Sequence, residues 1–318
     1  MNRHWKLAGV FVLSLAYTAT AVGCSKTPPP PYASEQSNML LEQGVQAHQQ
    51  GRYSEAMYLF EQASAHYRSI DNQAALALTL LNFAETAYLV GARERAYRVA
   101  HDAADLAKAK EELNLYWRAK LLLARIQFEE DNAPHALEYV EEFLTLYDNT
   151  SPLYLNALIL RADIAFQQDA NNTLWLEQVQ SMPTSNPLYQ ARVLRLNALY
   201  HVAHSPHLAE HELNAAHNIY RRLTFRPGIA STLTQLSELY ATQARYDEAK
   251  QVGLRALHVR AWLKDDHGAR QLLLHLASVS DLQGKQDWAE QARQLAWQLR
   301  IEPSQIRNPN FLDALDKI

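Results

Sequence analysis

Small and large apolar residues recur along this chain at helical spacing, and the pattern itself recurs at a long fixed period. The frame Gly44-x-x-Ala47-x-x-x-Gly51-x-Tyr53-x-x-Ala56-x-x-x-Phe60-x-x-Ala63 places apolar positions three and four residues apart, the spacing of one helix face. Gly51 interrupts it, so the pattern predicts a helix, a tight turn and a second helix. Ala56 recurs as Ala96 and Ala136, then as Ala209, Ala249 and Ala289, with steps of 40 residues inside each triplet. Ala84, Ala87, Gly91, Ala100 and Ala103 rebuild the frame around Ala96. Leu233, Leu236, Tyr240, Tyr246 and Ala256 rebuild it around Ala249, as Ala277, Gly284 and Ala296 do around Ala289. Such a period marks stacked helix pairs. Small residues let the two helices of a unit approach and large ones fill the gap to the next unit, so neither helix buries its face alone.

The punctuation agrees. Gly51, Gly91 and Gly284 share one phase, where the first helix of a unit ends and a left-handed residue is wanted. No proline falls between Tyr32 and Ala133. Pro134 lies in a predicted first helical turn, where its missing N–H costs nothing, and Pro152, Pro183, Pro187, Pro206 and Pro227 lie at predicted junctions. Between Ala136 and Ala209 there is room for one more unit. Ala162 and Ala165 mark its first helix, but Leu174, Gln178 and Ser181 depart from the frame, so the second is short and ends at Met182-Pro183. The pattern predicts seven units, with a weak fourth at about 152–183.

At its small and large positions this frame resembles the tetratricopeptide repeat, over about residues 39–300. The resemblance implies an all-α fold, a right-handed tetratricopeptide α-solenoid of about seven helix-pair units whose first (A) helices line a concave groove for peptides or partner helices. Phased on that family, Tyr88, Phe128, Phe166 and His201 share one groove position. Glu85, Arg125 and Asp163 share a second, and Leu81, Leu121 and Ile159 a third. The strip is apolar and aromatic with charges at its edge, suited to an extended or helical apolar segment. The alternative is that its aromatics pack between neighbouring helices. Some family members clamp a C-terminal carboxylate with Lys, Arg and Asn on adjacent A helices, but here Leu41, Val45, Leu81 and Glu85 take those positions in the first two units, and that resemblance fails.

The N-terminus reads separately. Arg3, His4 and Lys6 precede an apolar run from Leu7 to about Gly23, the form of a secretory signal and marginal for a membrane span. Ala21-Val22-Gly23-Cys24, holding the sole cysteine of the chain, resembles a bacterial lipobox. The resemblance implies a cleaved signal peptide over 1–23, acylation of Cys24 and a membrane anchor. A plain cleaved signal with Cys24 left free and an uncleaved anchor are the alternatives. Residues 24–38, with four consecutive prolines, read as a tether reaching about 40 Å. In the enterobacterial resemblance an aspartate after the cysteine implies inner-membrane retention. Ser25 stands there instead, so the resemblance implies the outer membrane, facing the periplasm, with inner-membrane retention as the alternative. Residues 301–318 read as a tail or capping helix.

Composition narrows the partners. A net charge of −4, more negative still without Arg3 and Lys6, excludes a nucleic-acid surface, which needs a basic face. No glycine-rich phosphate loop, G-x-S-x-G elbow or Cys–His pair occurs, so no cofactor or catalytic residue is expected. One local motif competes: His207-Leu208-Ala209-Glu210-His211 fits H-x-x-E-H, in which two histidines on one helix face ligate zinc. Five of the 13 histidines fall between His201 and His217, yet Ala209 is claimed by the repeat, and solvated surface histidines are the plainer reading. The sequence therefore favours a lipid-anchored envelope adaptor that holds a protein or peptide partner. A metal-binding protein or zinc hydrolase using His207, Glu210 and His211, and a periplasmic peptide receptor, remain as alternatives. Nothing in the sequence sets an oligomeric state.

Overall fold

The computed structural model describes residues 32–169 and 171–301. They form fourteen α-helices in seven antiparallel pairs, with no strand among the described residues. The first three units are α1 (Tyr32–Gln49) with α2 (Tyr53–Ser69), α3 (Gln73–Leu89) with α4 (Arg93–Ala109), and α5 (Leu113–Glu129) with α6 (Ala133–Leu146). The fourth pairs α7 (Tyr154–Gln168) with the short α8 (Leu174–Ser181). The last three are α9 (Pro187–His201) with α10 (Pro206–Arg222), α11 (Arg226–Thr242) with α12 (Tyr246–Leu263), and α13 (Asp266–Leu282) with α14 (Gln286–Ile301). The architecture is the all-α solenoid that the forty-residue period predicts.

The repeat alanines explain the pairing. Ala56, Ala96, Ala136, Ala209, Ala249 and Ala289 are each 0% exposed: every B helix presents a methyl where a larger side chain would hold its partner away. Leu76, Leu80, Phe83, Leu122, Leu123 and Ile126 fill the layers between early units, as Leu236, Leu239, Leu272, Leu273 and Leu276 do between late ones. Pro134, Pro187, Pro206 and Pro227 stand in the first turns of α6, α9, α10 and α11. Gly51, Gly91 and Gly284 have φ of +72°, +73° and +73°. At the same phase Asp131 and Ala244 adopt φ of +59° and +57°, so the turn is imposed by helix packing where glycine is absent.

One boundary moves. The expected tether over 24–38 is overlapped by α1, which starts at Tyr32: residues 34–38 carry on the helical spacing of the first unit, and Ser37 is fully buried within it. The signal segment 1–23, Cys24 and the proline run lie outside the described residues, as do residues 302–318 of the expected tail. Among the described residues no helix is long and apolar enough to cross a membrane.

The solenoid winds tightly enough to meet itself. Tyr53 and Val90, from the first two units, share a buried cluster with Ala230 and Leu263 of the sixth, and Met57, Leu89, Ala92 and Val259 pack around it. Polar contacts run beside this seam. Lys264 Nζ donates to Ser54 Oγ at 3.2 Å, and Arg93 lies 3.9 Å from Asp265. Asp265 accepts from Arg260 and, as the N-cap of α13, from the Gly268 N–H. Contacts between residues some 210 positions apart turn the concave side from an open trough into a channel.

Candidate functional site

The channel holds a cavity of about 570 Å³ lined from α1 to α11 by A helices. His48 comes from α1, Glu85 and Tyr88 from α3, and Arg118, Leu121, Arg125 and Glu129 from α5. Asn156, Ile159 and Asp163 come from α7, Tyr189, Arg192, Arg195, Leu196 and Leu199 from α9, and Ser231 and Gln235 from α11. These residues project inward because each A helix packs its opposite face on its own B helix and its flanks on the neighbouring units. One strip then remains free to carry polar groups.

Polar bridges tie successive A helices together across that strip. Arg118 Nη2 donates to both oxygens of Glu85 at 2.9 and 3.0 Å, and Arg125 Nη1 to Asp163 at 2.5 Å. Arg192 Nη1 donates to Asn156 Oδ1 at 2.7 Å, and Asn156 Nδ2 to the Tyr189 hydroxyl at 2.9 Å. Arg195 Nε donates to Gln235 Oε1 at 2.6 Å. The Tyr88 hydroxyl donates to Glu129, which also receives Arg93 Nη2 at 2.8 Å. Apolar Leu121, Ile159, Leu196 and Leu199 lie between these bridges. The result is an apolar floor with fixed hydrogen-bonding groups, the usual chemistry of a site that orients a ligand.

Burial shapes the titrating groups. The Tyr88 hydroxyl is held far above its ordinary range, first by burial and then by the Glu129 carboxylate. Burial disfavours the charge on Arg125, but Asp163, with Tyr88 and Glu129, more than offsets it, so its pKa rises. The His48 pKa is lowered by burial against the opposing pull of Glu85. Its Nδ1 lies 2.8 Å from Thr86 Oγ1, and the Thr86 hydroxyl already donates to the Asn82 carbonyl. His48 Nδ1 therefore carries the proton and donates.

The expected groove residues divide. Glu85, Tyr88, Leu121, Arg125, Ile159 and Asp163 all line the cavity. Leu81 does not: it is 0% exposed, in the layer against which Leu41 and Val45 of α1 pack. Phe128 is half-buried in the cluster of the third unit, and Phe166 meets Tyr200 edge-on at 4.9 Å. His201 turns toward α10, its Nδ1 2.8 Å from the buried Glu212. Phe128, Phe166 and His201 pack against neighbouring helices. For His201 the cause is register. The step from α7 to α9 is 36 residues, the spacing of the buried A-helix alanines Ala162 and Ala198, and placing His201 opposite Phe166 slips one residue, about 100° around the helix.

That shortened step also hid Arg192 and Arg195. The signal was present, since Arg118, Asn156 and Arg192 form one row of polar residues, but it is legible only when the step into the weak unit is counted as 38 residues and the step out of it as 36. His48, Glu129, Tyr189 and Gln235 carried no sequence signal beyond lying on A helices.

Among the described residues the histidine motif is joined by no further ligand. Glu210 accepts from the Tyr240 hydroxyl and Arg245 Nη1, both at 2.8 Å, and Arg245 holds its pKa below the usual value. His207 and His211 are exposed. Among the described residues no group of three or more His, Cys, Asp or Glu side chains is placed to hold an ion.

No protein-family model and no curated protein matches the sequence. Solved structures do. The Rap conjugation gene regulator of the plasmid pLS20, in complex with the Phr* peptide, aligns over 92% of this chain and 82% of its own, with a TM-score of 0.67 at 15% identity. That likeness shows the fold: a tetratricopeptide-like helical solenoid. A Rap protein complexed with competence and sporulation factor covers 89% of this chain and 73% of its own at 14% identity, with a TM-score of 0.40. BtubC (BKLC) from P. vanneervenii covers 85% and 92% at 18% identity, with a TM-score of 0.34.

Proposed function

We propose that this chain is a non-catalytic scaffold that holds an extended peptide segment of a protein partner inside the channel. The observation that carries it is the cavity itself: six A helices present an apolar floor and bridged polar groups along one continuous strip. The shared fold with a regulator solved as a peptide complex supports the same reading. Selection of a displayed random dodecapeptide library on the immobilised native chain tests it, with Ser231→Trp, which fills the channel from α11, as control. Peptides should enrich on the native chain alone. Equal enrichment on both, with the variant as helical as the native chain, would reject the channel as the site.

The lipobox resemblance supports a second part of the proposal, an acyl anchor on Cys24 that holds the solenoid at an envelope membrane facing the periplasm. Cys24→Ala should move the protein from the membrane pellet to the soluble fraction with unchanged helicity. Continued sedimentation with membranes would reject the anchor.

A further inference from the structure

Four arginines line the channel against three carboxylates, in a chain whose net charge is −4. All three carboxylates are taken: Glu85 by Arg118, Asp163 by Arg125, and Glu129 by Arg93 and the Tyr88 hydroxyl. Two cations are left over, both on α9. Arg192 and Arg195, three positions apart and therefore on one helix face, donate to the neutral amides of Asn156 and Gln235. Neither has a carboxylate within ion-pair distance among the described residues. Glu238 of α11 is near enough to Arg195 for the two charges to interact, but it is exposed and makes no ion pair with Arg195.

Such a pair is costly without an anion. Each arginine is half-buried as a residue, its guanidinium has more donors than its single amide partner can use, and an amide offers no charge to balance it. The side chains are nevertheless held by Asn156 and Gln235, so the donors need no reordering when an anion arrives. Ile159, Leu196 and Leu199 lie alongside. The channel continues to both sides of α9, toward α7 and toward α11, so a ligand crosses this point rather than ending at it.

Resting on the channel as the binding site, we propose that Arg192 and Arg195 receive an acidic side chain in the interior of the bound segment, flanked by apolar residues. The occupant is an extended peptide with one aspartate or glutamate in fixed register. A free C-terminal carboxylate is the competing source of the same charge.

The dodecapeptide selection decides between them when an Arg192→Gln, Arg195→Gln double variant is added. Displayed peptides joined to the coat protein at their C-terminal end carry no free terminal carboxylate, so an acidic requirement can come only from a side chain. Enriched sequences on the native chain should share an Asp or Glu next to apolar residues, and the double variant should lose that preference. A synthetic, C-terminally amidated copy should bind the native chain about tenfold or more tighter than its Asp→Asn or Glu→Gln analogue, and the double variant should bind the two alike. Enrichment without an acidic preference, blocked by Ser231→Trp, would overturn the anchor while leaving the channel in place. Binding of synthetic peptides only with a free C-terminus would overturn it in favour of the terminal carboxylate. No enrichment beyond the blocked variant would remove channel and anchor together.

Discussion

Ala244 shows how packing overrules local preference. It sits between α11 and α12 with φ of +57°, at the phase that holds Gly91 and Gly284 elsewhere. A Cβ in the left-handed region crowds the following carbonyl, and the neighbouring helix pair offsets that strain. Ala244→Gly should stabilise the fold by about 0.5–1 kcal/mol, part of the relief being lost to the greater freedom of glycine in the unfolded chain. Urea unfolding measures it, and an unchanged or lower midpoint would show that the turn carries no strain. The buried repeat alanines were legible at this same scale, because a methyl at a helix crossing tolerates little else. Arg192 and Arg195 were not, because an arginine on a helix surface reads alike whether it faces solvent or a channel.

At the scale of elements, each A helix divides its surface between its partner, the flanking units and the channel. Phe128 and Phe166 fall on the flanks. Their truncation therefore acts on stability: Phe128→Ala and Phe166→Ala should each cost about 1–3 kcal/mol, below the range for a wholly buried ring, and leave peptide capture unchanged. Chemical denaturation together with the library selection would separate the two effects, and lost capture at full stability would return both rings to the binding site. Helix α8 is the other informative element. It buries only Leu176 and Val179, and its brevity draws α9 closer in sequence to α7. The sequence marks that unit as weak through its missing frame. It does not give the size of the register shift, which depends on how far a short helix lets the next pair approach.

The seam belongs to the whole molecule. Tyr53 and Val90 meet Ala230 and Leu263 only because the solenoid curves through the intervening units. Gly91 and Gly284 have the same φ of +73° yet different surroundings. A Cβ on Gly91 would run into the side chain and Cα of Asp265, while one on Gly284 meets nothing within 4 Å. Gly284→Ala should cost about 1 kcal/mol of left-handed strain. Gly91→Ala should cost more and should also expand the particle, read as a larger radius of gyration in small-angle scattering. Equal losses with equal radii would mean that the seam does not hold the channel closed. The polar chain from Tyr88 through Glu129 and Arg93 to Asp265 and Arg260 joins the channel wall to this seam.

By itself the sequence determined the helix pairs, their number, the buried alanines and the turns, because each depends on contacts between residues close in the chain or one repeat apart. It also marked six of the channel residues, from Glu85 to Asp163, where the forty-residue step held nearly constant. Tertiary structure alone decided the rest. Closure of the seam depends on small rotations summed over several units, and no single repeat encodes that sum. The inward aim of Arg192 and Arg195 depends on the shortened fourth unit, where a slip of a single residue in the step turns α9 by about 100° and changes which face meets the channel.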